Sequence, residues 1–193
     1  MLKIVGVDIS LNNIGICKAT LNEDESLTVN YVTLIQPAKA DAVTKKQVRK
    51  NSDDLRRARW LQSNLIKQIE GCDIISVEMP VGSQSARAMA SYGICVGVLA
   101  SISTPFIEVT PAEVKLAGFG CKTATKMEMI DWAFDKHPEI QWKTRNSGGK
   151  KVLTNDNEHI ADALATIYAA MKTDQYKSAI LFAKSMMLKQ KAA

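Results

Sequence analysis

The stretch LKIVGVD, Leu2–Asp8, is an apolar, β-branched run that ends on a carboxylate, and DIISVEMP, Asp73–Pro80, repeats the pattern at Glu78. Short runs of this kind, bounded by turn residues, read as strands buried in a sheet. A charge at the end of such a strand costs free energy unless it is paired, hydrogen-bonded or bound to a metal. Taken singly, Asp8 with Ser10 and Asn12 behind it also fits a turn or cap. Glu78 resists that explanation, because its strand reads as covered on both faces.

The segments between the two runs set the architecture. Gly15–Leu21 and Leu27–Ile35 follow as strands, with Asn22–Ser26 as the polar turn of a three-stranded meander. A helix is predicted from Ser52 as N-cap, with Asp53 and Asp54 in its first turn, apolar positions at Leu61, Leu65 and Ile69, and a stop at Gly71. Ser85–Ser101 is rich in alanine and glycine, which suits a helix packed tightly on a sheet. Phe106–Val109 is a further strand, Thr110-Pro111 opens a helix, and Lys122–Asp135 is helical in pattern. Thr144–Asn157 reads as a polar loop, and Asn157 to Met171 as the last long helix, with Ile160, Ala161, Leu164 and Tyr168 on one face. A meander followed by strands separated by helices predicts an α/β fold: a mixed sheet with helices on both faces.

A chain of 193 residues is long enough for one substantial core. We expect one domain over 1–171 and a tail over 172–193 whose mixture of lysines and apolar residues suits an extra helix. No apolar stretch approaches the roughly 20 residues that cross a bilayer. The opening Met1-Leu-Lys-Ile-Val shows no signal-peptide pattern, so a cytoplasmic protein with no membrane partner is expected. Four widely spaced cysteines form no zinc pattern; Cys17, Cys72 and Cys95 read as reduced core thiols. A net charge of +5 and a pI near 9.0 admit a polyanionic partner.

Three elements each offer an acid at a special place: Asp8 and Glu78 at strand ends, and Asp162 near the start of the late helix. His159 stands one turn before Asp162 on the same helix face, while adjacent Glu158 points elsewhere. On their own, His159 and Asp162 also fit an exposed helix face. Hard divalent cations take oxygen ligands, usually carboxylates from several elements, and this set is of the kind a two-metal site draws on.

With those residues in order, the sequence resembles the RuvC family of Holliday junction resolvases, members of the RNase H-like fold, and its phage-encoded branch in particular. The resemblance rests on VGVDISLNNIGICKATL, IISVEMP with SARAMASYGICVGVLAS, VTPAEVKLAGFGCKTATKMEM, and EHIADALA, covering most of residues 3–168. It implies an RNase H-like mixed five-stranded sheet and a metal-dependent, structure-selective endodeoxyribonuclease. Asp8, Glu78, His159 and Asp162 would be the catalytic residues, holding two Mg²⁺ or Mn²⁺ ions roughly 4 Å apart. One ion would lower the pKa of the attacking water and the other would stabilise the leaving 3′-oxygen. The products would be paired nicks with 5′-phosphate and 3′-hydroxyl ends.

The resemblance also implies a DNA surface and a homodimer. Lys115 and Lys126 match two lysines that approach the DNA backbone, and Ser83, Gln84, Ser85 and Arg87 open the helix that touches the junction. The basic run Lys39–Arg59 is a weaker candidate, and Lys143, Arg145, Lys150 and Lys151 lie in the loop before the catalytic helix. The Ala86–Ala100 helix is a candidate dimer surface, although packing on its own sheet would select the same composition. Two departures stand out. Val81 occupies the place of the aromatic wedge, which opens the way to forks, flaps and Y-junctions, and Asp8-Ile9-Ser10 replaces the usual D-P-G. The alternative is a catalytically silent DNA-binding protein of the same fold. An actin-like ATPase would need two such domains, and the chain is too short for them.

Overall fold

The structure is a computed structural model that describes residues 1–38 and 49–191, with side chains as far as residue 186. Strands β1 (Leu2–Ile9), β2 (Ile14–Leu21) and β3 (Leu27–Ile35) form the expected antiparallel meander. Strands β4 (Ile74–Glu78) and β5 (Ile107–Val109) extend it in parallel, in the order β3-β2-β1-β4-β5. The sheet is the mixed, five-stranded one expected. Lys39, Lys45 and Lys46 of the basic run lie outside the described residues.

Alternation along β1 sorts its side chains between two cores. Leu2 and Ile4 face helices α3 (Pro111–Gly118), α4 (Lys126–Lys136) and α5 (Glu158–Ala170), where Val114, Ile130 and Leu164 are buried. Val5, Val7 and Ile9 face α1 (Lys50–Ile69) and α2 (Ala86–Ala100), meeting Leu61, Leu65 and Leu99. Gly6 and Asp8 share the face of Leu2 and Ile4, and Glu78 shares the face of Ile74, so both acids are directed to the α5 side. Helix α6 (Asp174–Lys191) lays Tyr176 and Ile180 into that same core. No helix among the described residues is long and apolar enough to cross a membrane.

Several local expectations are corrected. Helix α1 starts at Lys50: the Ser52 amide already donates to the Arg49 carbonyl, so Ser52 is inside the first turn and caps nothing. Helix α4 starts at Lys126, later than Lys122, because Thr125 and Glu128 form a capping box there; Thr110 and Glu113 do the same for α3. The small residues of α2 do not face the sheet. Only Cys95, Val98 and Leu99 of that helix are buried, and a Cβ placed on Gly93 or Gly97 would meet open space. Thr144–Asn157 is not a loop throughout but a ribbon of β6 (Thr144–Ser147) and β7 (Lys150–Leu153). Its two-residue turn is Gly148-Gly149, both with positive φ, the pairing that matches the twist of a tight hairpin. Among the cysteines, Cys17 and Cys95 are buried core thiols, Cys72 is half-buried and Cys121 exposed, all unpaired.

Candidate active site

The parallel register of β1 on β4 places Asp8 directly beside Glu78. Adjacent strands run about 4.8 Å apart, so the two carboxylates leave the sheet as neighbours at its carboxyl end. Across the other edge of β1, Asp8 pairs with Gly15.

Helix α5 reaches this point because two glycines let it settle on the sheet. A Cβ on Gly6 would collide with the carbonyl oxygen of Ala163, and one on Gly15 with that of His159. With its backbone seated over Gly15, His159 reaches Asp8, and its Nδ1 lies 2.5 Å from Asp8 Oδ2. Asp162, one turn on, faces the same acids. The four residues matched to the catalytic set therefore come from three elements to one end of the sheet.

A further residue escaped the sequence reading. In the β1–β2 turn, closed by the Ser10 amide on the Asn13 carbonyl at 2.8 Å, the Asn13 Nδ2 lies 2.8 Å from His159 Nε2. Gln36 Nε2 donates in turn to Asn13 Oδ1 at 2.7 Å. An Asn13 amide donating to Nε2 leaves the ring proton on Nδ1, shared with Asp8, so the imidazole is held at both nitrogens. Asn13 lies 146 positions from His159, and nothing in the sequence beyond its place in the turn next to Asp8 could signal the contact.

Glu78 and Asp162 are buried and crowded by like charge. Burial first, then the charges of Asp8 and Asp162, push the Glu78 carboxyl up to about 9. Burial, then Asp8 and Glu158, push Asp162 up to about 7. For His159, burial alone would lower the pKa. The hydrogen bond to Asp8 and the surrounding negative charge outweigh it and hold the ring above its ordinary value. Among the described residues, no hydrogen bond or ion pair holds the Glu78 or Asp162 carboxylate, and Lys115 is the only basic residue that lowers both.

That donor set suits a hard divalent cation: three carboxylates and an imidazole, with the Glu78 and Asp162 carboxylates paired to no side chain among the described residues. Among the described residues no three His, Cys, Asp or Glu groups yet close around a common point. The Asp8–His159 hydrogen bond occupies both partners, and it must open before both can face an ion.

The residues matched to DNA contacts divide. Lys115 projects its field onto the acids, as above. Lys126 lies 2.8 Å from the Glu158 carboxylate, so Glu158, expected to point elsewhere, both pairs with Lys126 and adds negative field at Glu78 and Asp162. Ser85 is the N-cap of α2, accepting from the Ala88 amide, and Ser83 Oγ accepts from the Ser85 amide. Arg87 is committed to a two-pronged ion pair with buried Asp54, at 2.5 and 2.7 Å, that ties α2 to α1. Gln84 is exposed, and Val81, in the place of the wedge, is 54% exposed.

No family model matches the sequence, and no curated protein matches it. Solved structures do. "T. thermophilus RuvC in complex with Holliday junction substrate" superposes with a TM-score of 0.60 at 14% identity, covering 88% of this chain and 92% of that one. The yeast mitochondrial Holliday junction resolvase Ydc2 superposes with a TM-score of 0.56 at 13% identity, covering 96% of this chain and 83% of that one. At such identities the likeness is one of fold. This chain has the RNase H-like fold of the RuvC-type Holliday junction resolvases.

Proposed function

We propose that the protein is a metal-dependent, structure-selective endodeoxyribonuclease that cuts Holliday junctions and other branched DNA, acting in the cytoplasm of a bacterial or phage-infected cell. The observation that carries this reading is the acid cluster itself. Asp8 and Glu78 sit side by side on parallel strands, and α5, seated on Gly6 and Gly15, adds His159 and Asp162.

Asp8, Glu78 and Asp162 would supply oxygen donors for two Mg²⁺ or Mn²⁺ ions, and His159 would supply Nδ1 once its bond to Asp8 opens and the ring proton moves to Nε2. When bound, the ions activate the attacking water and stabilise charge on the leaving 3′-oxygen. With that proton on Nε2, Asn13 would turn its amide so that Oδ1 accepts it, and the ring stays held at Nε2 when Nδ1 is released. Lys115 brings positive charge beside the acids, which favours approach of a phosphate to a site that would otherwise repel it. The products are a 5′-phosphate and a 3′-hydroxyl.

Paired nicks on two strands require two such sites, supplied by a homodimer. The outward-facing small residues of α2 offer a flat face on which a second copy can approach closely, which favours the dimer alternative for that helix over sheet packing. Exposed Val81 in place of an aromatic wedge supports action on forks, flaps and Y-junctions as well as four-way junctions. Incubation of purified protein with labelled four-way junction, Y-junction and linear duplex tests the reading. Cutting of the branched substrates, with the linear duplex spared, is expected in Mg²⁺. Junction binding with no cutting in Mg²⁺ or Mn²⁺ would instead identify a catalytically silent DNA-binding protein.

A further inference from the structure

The β6–β7 ribbon has no acidic residue over 143–153 but carries Lys143, Arg145, Lys150 and Lys151. Its two strands of four residues make an arm on the order of 13 Å long. A lone hairpin is marginal in water, and this one is anchored at its stem only. There Trp142 and Leu153 pack on the α5-side core, and buried Asn157 grips Lys143 from both sides. The Asn157 Oδ1 accepts from the Lys143 amide at 2.9 Å, and its Nδ2 donates to the Lys143 carbonyl at 2.8 Å and the Thr154 carbonyl at 3.0 Å.

Cross-strand pairing fixes where the charges point. Arg145 pairs with Val152 and Ser147 with Lys150, so these four share one face; Leu153 lies on the other, with Lys151 nearer the tip. Past the stem both faces are open: Thr144 to Val152 are exposed, Val152 by 39%, and only Leu153 is half-buried, so Arg145 and Lys150 on one face and Lys151 on the other are all accessible. Lys143 has Asp156 at 3.8 Å, while Arg145, Lys150 and Lys151 have no ion-pair partner among the described residues. The chain leaves β7, passes through Asn157, and within a few residues reaches His159 and Asp162.

We infer that this ribbon is a DNA-binding arm that lies in a groove of a duplex arm of the substrate, Arg145 and Lys150 from one face and Lys151 from the other reaching the backbone phosphates that flank it, beside the acid cluster. The inference rests on the nuclease reading for its substrate, and it goes beyond that reading by assigning the contact. The major groove, about 12 Å wide, admits a two-stranded ribbon, and the complementary charge is that of the phosphates. A stem gripped by Asn157 keeps the bound duplex in a fixed relation to α5.

The test is equilibrium binding in EDTA, so its outcome is independent of cutting. Labelled four-way junction, linear duplex and unstructured single strand are titrated between 50 and 200 mM salt. The triple variant Arg145→Gln, Lys150→Gln, Lys151→Gln is compared with wild type. A charge-matched control, Lys3→Gln, Lys67→Gln, Lys172→Gln, removes exposed lysines at the far end of the sheet. Each lost phosphate contact lowers the slope of log K against log salt by about 0.9, so the ribbon variant should lose about 2–3 from the slope on junction and duplex. Its affinity should fall on the order of 10²-fold near 0.1 M salt. The control should keep the wild-type slope. An unchanged slope in the ribbon variant, an equal loss in the control, or an equal loss on the single strand would each overturn the assignment. A protein that binds in this way but never cuts would refute the nuclease reading and leave the ribbon standing.

Discussion

Replacing Gly15 by alanine tests how the site is built. The added methyl would run into the His159 carbonyl, a backbone group that cannot swing aside, so α5 would have to retreat by on the order of 1 Å to restore ordinary contact. Overpacking of this kind costs about 1–3 kcal/mol. For a chain of this size that lowers Tm by about 2–12 °C. The unfolded chain pulls the other way, because restricting it favours alanine by about 0.4–1 kcal/mol, so the sign of the change is itself diagnostic. Since α5 carries His159 and Asp162, a displacement on the order of 1 Å should also cost about 10²-fold in cleavage rate. Thermal unfolding and single-turnover cleavage of a labelled four-way junction read the two effects. Gly82→Ala is the stability control, since its methyl would meet open space. Gly6→Ala should act on the same helix through Ala163, and the double variant should lose less than the sum of the singles. A Gly15→Ala protein with wild-type Tm and wild-type cleavage would refute the close seating of α5.

Three other outcomes follow from the geometry. The Glu78 carboxyl, raised by burial first, binds its proton more tightly in the folded than in the unfolded chain, so stability in EDTA should fall as pH rises from about 4.5 towards 9. Glu78→Gln should flatten that slope in denaturant titrations while abolishing cleavage; an unchanged slope would contradict the crowded, buried acid. Asp54 is held below its ordinary value, chiefly by its hydrogen bonds from Arg87, so its contribution is present above pH 3.8 and is lost as pH falls below that value. Arg87→Met should lower stability at neutral pH and reduce the loss on acidification. Weaker junction binding at unchanged stability would make Arg87 a DNA contact after all. Asn13→Ala, which frees one nitrogen of the His159 ring, should lower cleavage by about 10–100-fold and weaken Mn²⁺ binding with little change in Tm.

The strand-end acids were legible because each interrupts an apolar run, a conflict that local pattern exposes. The meander and the two-sided sheet were legible for the same reason, through alternation and run length. What the pattern could not carry was contact between distant residues. His159 meets Asp8 across 151 positions, and Arg87 meets Asp54 across 33, so Arg87 was matched to a DNA contact at the helix start while its ion pair went unseen. The ribbon was hidden because 143–151 holds no apolar residue, leaving no hydrophobic alternation; only the Gly148-Gly149 pair marked the turn. Glycine and alanine on α2 fitted two opposite roles, and only burial showed that they do not pack on the sheet. Gly6 and Gly15 carried the most structural information per residue, yet their meaning depends on a helix that is formed some 150 residues later.

The central claim is that Asp8 and its neighbours cut DNA with divalent metal. Purified protein is incubated with a fluorescently labelled four-way junction in Mg²⁺, in EDTA, and in Mg²⁺ with Asp8→Asn. The account predicts symmetric nicks in Mg²⁺ that DNA ligase reseals directly, as 5′-phosphate and 3′-hydroxyl ends require, and none in the other two reactions. Cutting that persists in EDTA, or in the Asp8→Asn protein, would contradict it.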